Sequence, residues 1–192
     1  MIEVNRLVEL LAELVAFESV TPNSAGSLEY VEQFVNKLGA ECIYLNRNQT
    51  SNLIVTIGNG DKILAFAGHV DVVPPGDSAK WINGNPYQLH IDGDLIIGRG
   101  VADMKGAIAA FLLALEQFVA NTDLSQYKIM LLLTSDEEGS AHDGTILMVD
   151  YLKEQKYSWE IIVVDDGSED KTADLAEKFA KNHKNVSVLR EP

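Results

Sequence analysis

The chain has 192 residues, 46% of them hydrophobic and 23% charged, enough to bury a sizeable core in one soluble catalytic-type domain. A formal net charge of −14 excludes nucleic acid as a partner, because phosphates would be repelled. No uncharged run reaches the ~20 residues of a membrane span, and a single cysteine, Cys42, excludes an internal disulfide framework.

Cys42 reads as a small buried hydrophobe. Acidic residues inside the opening apolar pattern, at Glu3, Glu9 and Glu13, mark an amphipathic helix rather than a signal peptide, so the expected location is cytoplasmic. That helix covers residues 2–17, with Leu7, Leu10, Leu11, Leu14 and Val15 on one stripe, and Thr21-Pro22-Asn23 breaks it. A second helix is expected over 27–38, stopped by Gly39. Strands follow at 41–45, 52–57 and 62–66, with Asn59-Gly60 read as a hairpin turn between the last two. Residues 73–86 form a long Pro-rich loop, and Asp92-Gly93-Asp94 a tight turn. GRGVADMKG, residues 98–106, opens into an apolar helix ending near Val119. A continuous apolar strand at 128–133 runs into TSDEEG, and Asp143 is an expected N-cap for a helix over 144–156. Strand 160–164, helix 170–181 and strand 186–189 close the chain. Alternating strands and helices imply an α/β three-layer sandwich with a central mixed, mainly parallel sheet.

Polar ends of central strands are where such folds place their sites. His69 and Asp71 stand in AGHVDVVPPGD at one such end. The H-x-D spacing lets His69 offer one ring nitrogen to a metal while Asp71 accepts a hydrogen bond from the other and sets the tautomer. Asp103 lies in a strand-to-helix loop, where it reads either as a helix cap or as a carboxylate able to bridge two metal ions. Glu137 and Glu138 leave an apolar strand side by side. Buried and unpaired they would cost several kcal/mol, so either solvent or a cation must meet them. Neighbouring residues point different ways, so one can ligate metal while the other acts as general base.

GHVDVVPPGD, then Trp81 and Asn85-Pro86-Tyr87, then DGDLIIGRGVADMKGAIAA, then TSDEEG and DGT, resemble the di-zinc aminoacylase/carboxypeptidase superfamily. Within it the likeness is to the succinyl-diaminopimelate desuccinylases, over residues 3–157. The resemblance implies that His69 binds one zinc with Asp71 orienting it, that Asp103 bridges two zincs, that Glu137 is the general base and that Glu138 binds the second zinc. It implies a zinc cofactor of one or two ions, with cobalt an alternative. The implied reaction is hydrolysis of N-succinyl-L,L-diaminopimelate, a small N-acyl amino acid, to succinate and L,L-diaminopimelate.

The family's dimerisation domain and a final zinc-binding His are not found in this sequence. Residues 158–192, with VVDDGS, instead resemble the nucleotide-binding start of family-2-type glycosyltransferases, which suggests a chimera closed by a βαβ piece and, if the site is impaired, a folded metal-binding chain without turnover. A nucleotide-sugar module is the remaining alternative. Asp166 follows Glu138 by 28 residues and is a candidate for a further zinc ligand, with Asp165 its competitor. Helix capping explains both equally. A monomer is expected, and an exposed sheet edge offers a route to a dimer.

Overall fold

The computed structural model of the protein describes residues 4–155, 157 and 161–191. The expected boundaries at Ile2, Lys156 and Glu160 lie outside the described residues. The chain forms two compact units, residues 1–150 and 151–192.

The first unit opens with helices α1 (Val4–Ala16) and α2 (Ser27–Asn36). Strands β1 (Glu41–Arg47), β2 (Thr50–Ile57) and β3 (Lys62–His69) follow. The short strands β4 (His90–Asp92) and β5 (Leu95–Ile97) pair as the expected tight hairpin. Helix α3 (Gly106–Asn121) leads to β6 (Tyr127–Thr134), and α4 (Thr145–Glu154) runs into the second unit. There β7 (Ile161–Asp166), α5 (Thr172–Ala180) and β8 (Val186–Glu191) form the expected βαβ unit, with its two strands parallel. No helix among the described residues is long and apolar enough to cross a membrane.

The main sheet has the order β1-β2-β6-β3 and is mixed. Two of its three pairings are antiparallel, β1 with β2 and β2 with β6; only β3 with β6 is parallel. The sheet is therefore less parallel than the alternation of elements suggested. A connection of two residues, Asn48-Gln49, allows only an antiparallel neighbour, whereas a parallel pair needs a crossover such as α3.

The Asn59-Gly60 hairpin does not form. β6 inserts between β2 and β3, so the short link 58–61 bridges two strand spacings. Gly60 is required for a different reason: its amide donates to Tyr127 O at 3.1 Å, and a Cβ there would lie 1.9 Å from the Gln126 carbonyl carbon. The residue permits β6 to start against this link.

The core forms on one face of the sheet. Leu53, Val55 and Ile57 of β2 and Ile129, Leu131 and Leu133 of β6 alternate inward, against Leu14 and Val15 of α1, Val31 and Val35 of α2, and Ile108 and Leu112 of α3. Each such side chain contributes roughly 1.5–3 kcal/mol by leaving water. Ile54, Met130 and Leu132, on the opposite face, are buried as well, which is why β6 reads as an unbroken apolar run. β3 is the outer strand, and its Leu64 is 63% exposed. The loop after it is pinned: Trp81 Nε1 donates to Pro75 O at 2.8 Å, and the Arg99 guanidinium lies over the Trp81 ring at 5.0 Å.

Candidate metal centre

β3 and β6 end level with each other, since His69 is paired with Thr134. The ladder continues one step as Val70 N donates to Thr134 O at 2.9 Å. The chain after it is held by residues 19–21: Ser19 Oγ donates to Val70 O at 2.7 Å, and Val72 N donates to Ser19 O at 2.9 Å. His69 and Asp71 are thus fixed by backbone on both sides. His69 is 5% exposed and Asp71 not at all.

Asp71 acts as the anchor. Its carboxylate accepts the amide hydrogens of Glu137 (3.2 Å to Oδ2) and Glu138 (3.0 Å), so the turn after β6 is wrapped around it. His69 Nδ1 lies 3.0 Å from Asp71 O and 3.5 Å from Asp71 Oδ1. The opposite nitrogen, Nε2, faces Asp103 Oδ1 at 3.1 Å and Glu137 Oε2 at 3.7 Å. The H-x-D spacing led to the Asp71 carboxylate as the expected acceptor; the backbone carbonyl of Asp71 is the nearer one.

Among the described residues Asp103 caps no helix. It sits in a single π-type turn, Val101–Lys105, its peptide to Met104 is cis, and its side chain is 72% exposed and turned to His69. Asp143 is also not the expected N-cap: its carboxylate accepts from Asn48 Nδ2 at 2.6 Å and lies 3.8 Å from Arg47 Nη1. Asp165 accepts from the Ser168 amide at 3.3 Å, a turn contact within its own unit. The side chain of Asp166 lies outside the described residues.

Burial pulls the His69 imidazolium down, but Asp71 and the Glu137 charge outweigh this and push its pKa up to about 9. Burial pushes the Asp71 carboxyl up, and the bonds from His69 and the two amides hold it below the usual carboxylate range. Glu138 is raised by burial and by the charge of Asp103. The acids crowd one another, and a proton on His69 partly relieves them.

This has a measurable consequence for stability. A His whose folded pKa lies above its unfolded value of 6.5 stabilises fully below pH 6.5 and loses that contribution as pH rises through about 9. In EDTA the protein is expected to lose on the order of 1–2 kcal/mol between pH 6 and pH 8. Urea midpoints at the two pH values check this; an unchanged midpoint would contradict it. Above pH 8 Lys105 acts in the opposite sense. Burial lowers it from 10.5 to about 8, so its loss of a proton favours the fold between those values.

His69, Asp103 and Glu138 each bring one ligand atom, and these atoms lie within 4.8 Å of one another. One imidazole and two carboxylates make a donor set that suits zinc, and the crowded acids supply the reason to hold a dication. Lys105 was missed by the sequence reading. It is 1% exposed and donates from Nζ to Phe17 O at 2.9 Å, capping the chain where it leaves α1. Its signal was the unbroken apolar helix that begins at the next residue.

A strand-end histidine with convergent carboxylates on a mixed α/β sheet is a candidate metal site. The model of peptidase family M20/M25/M40 matches residues 65–179, and the chain belongs to that family. A succinyl-diaminopimelate desuccinylase of Rickettsia prowazekii (strain Madrid E) is 40% identical over 159 residues, covering 80% of this chain and 42% of the relative. Human carnosine dipeptidase 1 superposes with a TM-score of 0.69 at 22% identity, over 83% of this chain and 38% of that one. An M20 family metallo-carboxypeptidase from Sulfolobus solfataricus gives 0.65 at 21%, over 86% and 38%. The chain thus spans about two fifths of the length of these proteins. The family match runs to residue 179, through most of the segment that resembled a glycosyltransferase, and nothing in the comparisons supports a chimera.

Proposed function

We propose that this chain carries the metal-binding half-site of a zinc-dependent amide hydrolase acting on N-succinyl-L,L-diaminopimelate. The observation that carries the reading is the convergence of His69 Nε2, Asp103 and Glu138 within 4.8 Å, in a chain 40% identical to a desuccinylase. In this reading His69, Asp103 and Glu138 hold the metal. When bound, zinc supplies positive charge that acidifies a water and polarises the scissile carbonyl.

The remaining roles fall to residues that need no metal to be understood. Asp71 orients the His69 ring through Nδ1 and fixes the loop that presents Glu137 and Glu138. Glu137 has its side chain 55% exposed and 3.7 Å from His69 Nε2, so it can reach both the centre and an incoming substrate. It takes a proton from the attacking water and delivers it to the leaving amine.

Succinate release from N-succinyl-L,L-diaminopimelate, measured with and without added zinc, tests the assignment. Zinc-dependent turnover is expected, and Glu137→Ala is expected to lower it by roughly 10²–10⁴-fold with zinc affinity unchanged. Equal turnover in the variant would remove Glu137 from the role. A second reading, a folded metal-binding chain without useful turnover, is favoured by the exposure of Asp103 and Glu137 at 72% and 55%. Charges that face solvent stabilise a transition state less than charges in a dry site. Zinc binding without succinate release selects it.

A further inference from the structure

We propose that Lys105 is a positioning residue of the metal centre: it ties the turn that carries Asp103 to residues 17–21, the segment that also holds His69 and Asp71, and so sets the spacing of the two ligands. The inference rests on the metal set of the hydrolase reading and adds to it the part that aligns the set.

The two ligands are held differently. His69 belongs to a strand and is buried, whereas the side chain of Asp103 is 72% exposed and meets His69 Nε2 at 3.1 Å. The place of Asp103 therefore depends on the backbone that carries it, the turn Val101–Lys105. That turn is fastened on its inner side. Lys105 N donates to Gly100 O at 2.9 Å and closes it. Met104 lies against β3 next to His69, where a Cβ on Gly68 would come within 2.8 Å of Met104 Cε. The Lys105 side chain runs inward and is 1% exposed. A Cβ on Gly100 would lie 3.2 Å from its Cδ and 2.7 Å from Val72 Cγ1. At the tip, Nζ donates to Phe17 O at 2.9 Å.

Phe17 opens a short frame that serves both ligands. Two residues on, Ser19 Oγ donates to Val70 O at 2.7 Å, and Ser19 O accepts from Val72 N at 2.9 Å. Val20 pairs with Val72 in a parallel bridge, and Thr21 N donates to Val72 O at 3.2 Å. Residues 70 and 72 flank Asp71 and directly follow His69. A single stretch, 17–21, thus fixes the chain on the His69 side and, through Lys105, the chain on the Asp103 side.

The residue type fits this task. A buried ammonium is costly, and a methionine would fill much the same volume more cheaply. Phe17 O lies just past the C-terminus of α1, where carbonyls lack helical partners and positive charge is favoured. Burial disfavours the Lys105 charge, and the fully buried Asp71 carboxylate favours it. A hydrogen bond from the tip fixes both length and direction, which contact with apolar walls does not.

Calorimetric titration of zinc into the intact, metal-free chain tests the link. The variants are Lys105→Met, Asp103→Asn and Glu138→Gln, and Lys105→Met combined with each of the other two. Lys105→Met is expected to weaken zinc binding by about 10–100-fold, the cost of losing a group that orients a ligand. In the Asp103→Asn background the same change should alter affinity by no more than about twofold, whereas beside Glu138→Gln the full loss should remain. A loss of equal size in both backgrounds marks a general loosening of the fold and overturns the proposal, as does a Lys105→Met chain that binds zinc as tightly as the unaltered one. A second measurement needs no Lys105 variant. Zinc is expected to slow hydrogen exchange of the Lys105 amide, which closes the turn, by roughly tenfold or more, and Asp103→Asn to remove that slowing. Exchange that zinc leaves unchanged also overturns the proposal. Failure of the hydrolase reading appears separately, as unaltered, zinc-loaded protein that releases no succinate while the coupling between Lys105 and Asp103 holds.

Discussion

Replacing His69 with alanine is expected to weaken zinc binding by roughly a hundredfold or more. Changing a residue that only supports a ligand already costs about 10–100-fold, and loss of the ligand itself should cost no less. The imidazole is the one nitrogen donor of the proposed set, and its ring is the part the fold holds most firmly, 5% exposed between β3 and the Asp71 turn. Asp103, with its side chain 72% exposed, would remain as a carboxylate that water competes for. Calorimetric titration of zinc into the metal-free protein reads the effect. Zinc should also raise the stability of the unaltered chain by about 4 kcal/mol at a thousandfold excess over Kd, and should do little for the variant. A variant that binds zinc as tightly as the original would remove His69 from the centre.

The second large effect is expected at Lys105. Lys105→Ala should cost roughly 2–5 kcal/mol of folding stability, the cost of emptying a fully buried long side chain and leaving a backbone acceptor without its donor. Two groups are left exposed to the loss. Phe17 O gives up the donor that meets it at 2.9 Å, and the fully buried Asp71 carboxylate loses a nearby cation. Against a total stability of ~5–15 kcal/mol this threatens the fold itself. Lys105→Met keeps most of the aliphatic volume but restores no donor, so its loss should fall between the two. Urea unfolding of the three proteins orders them. If methionine proves as stable as lysine, the Phe17 bond contributes nothing and the effect is packing alone.

Individual residues show what was legible in the chain. The H-x-D spacing put the His69 ring beside Asp71, two residues on, because strand periodicity is a local property. The adjacent acids after β6 were read as meeting either solvent or a cation, and the fold leaves the Glu137 side chain 55% exposed. Asp103 was ambiguous between cap and ligand, and only the turn at 101–105 shows that its side chain faces His69 rather than capping the next helix. Asp143 was misjudged, because its partners Arg47 and Asn48 lie nearly a hundred residues away in the chain. The same kind of distance hid Lys105, whose ammonium group meets Phe17 O across 88 residues of chain.

By itself, the sequence determined the order of the main helices and strands, the apolar stripe of the first helix and the family. These depend on periodicity, propensity and short spacings, which are properties of neighbours along the chain. The tertiary structure alone decided that β6 lies between β2 and β3, that Gly60 serves close approach rather than a hairpin, and that Asp71 is gripped by the Glu137 and Glu138 amides. Those outcomes depend on which strands find each other across long loops, where the energy comes from burying whole faces at once and no local pattern records the choice.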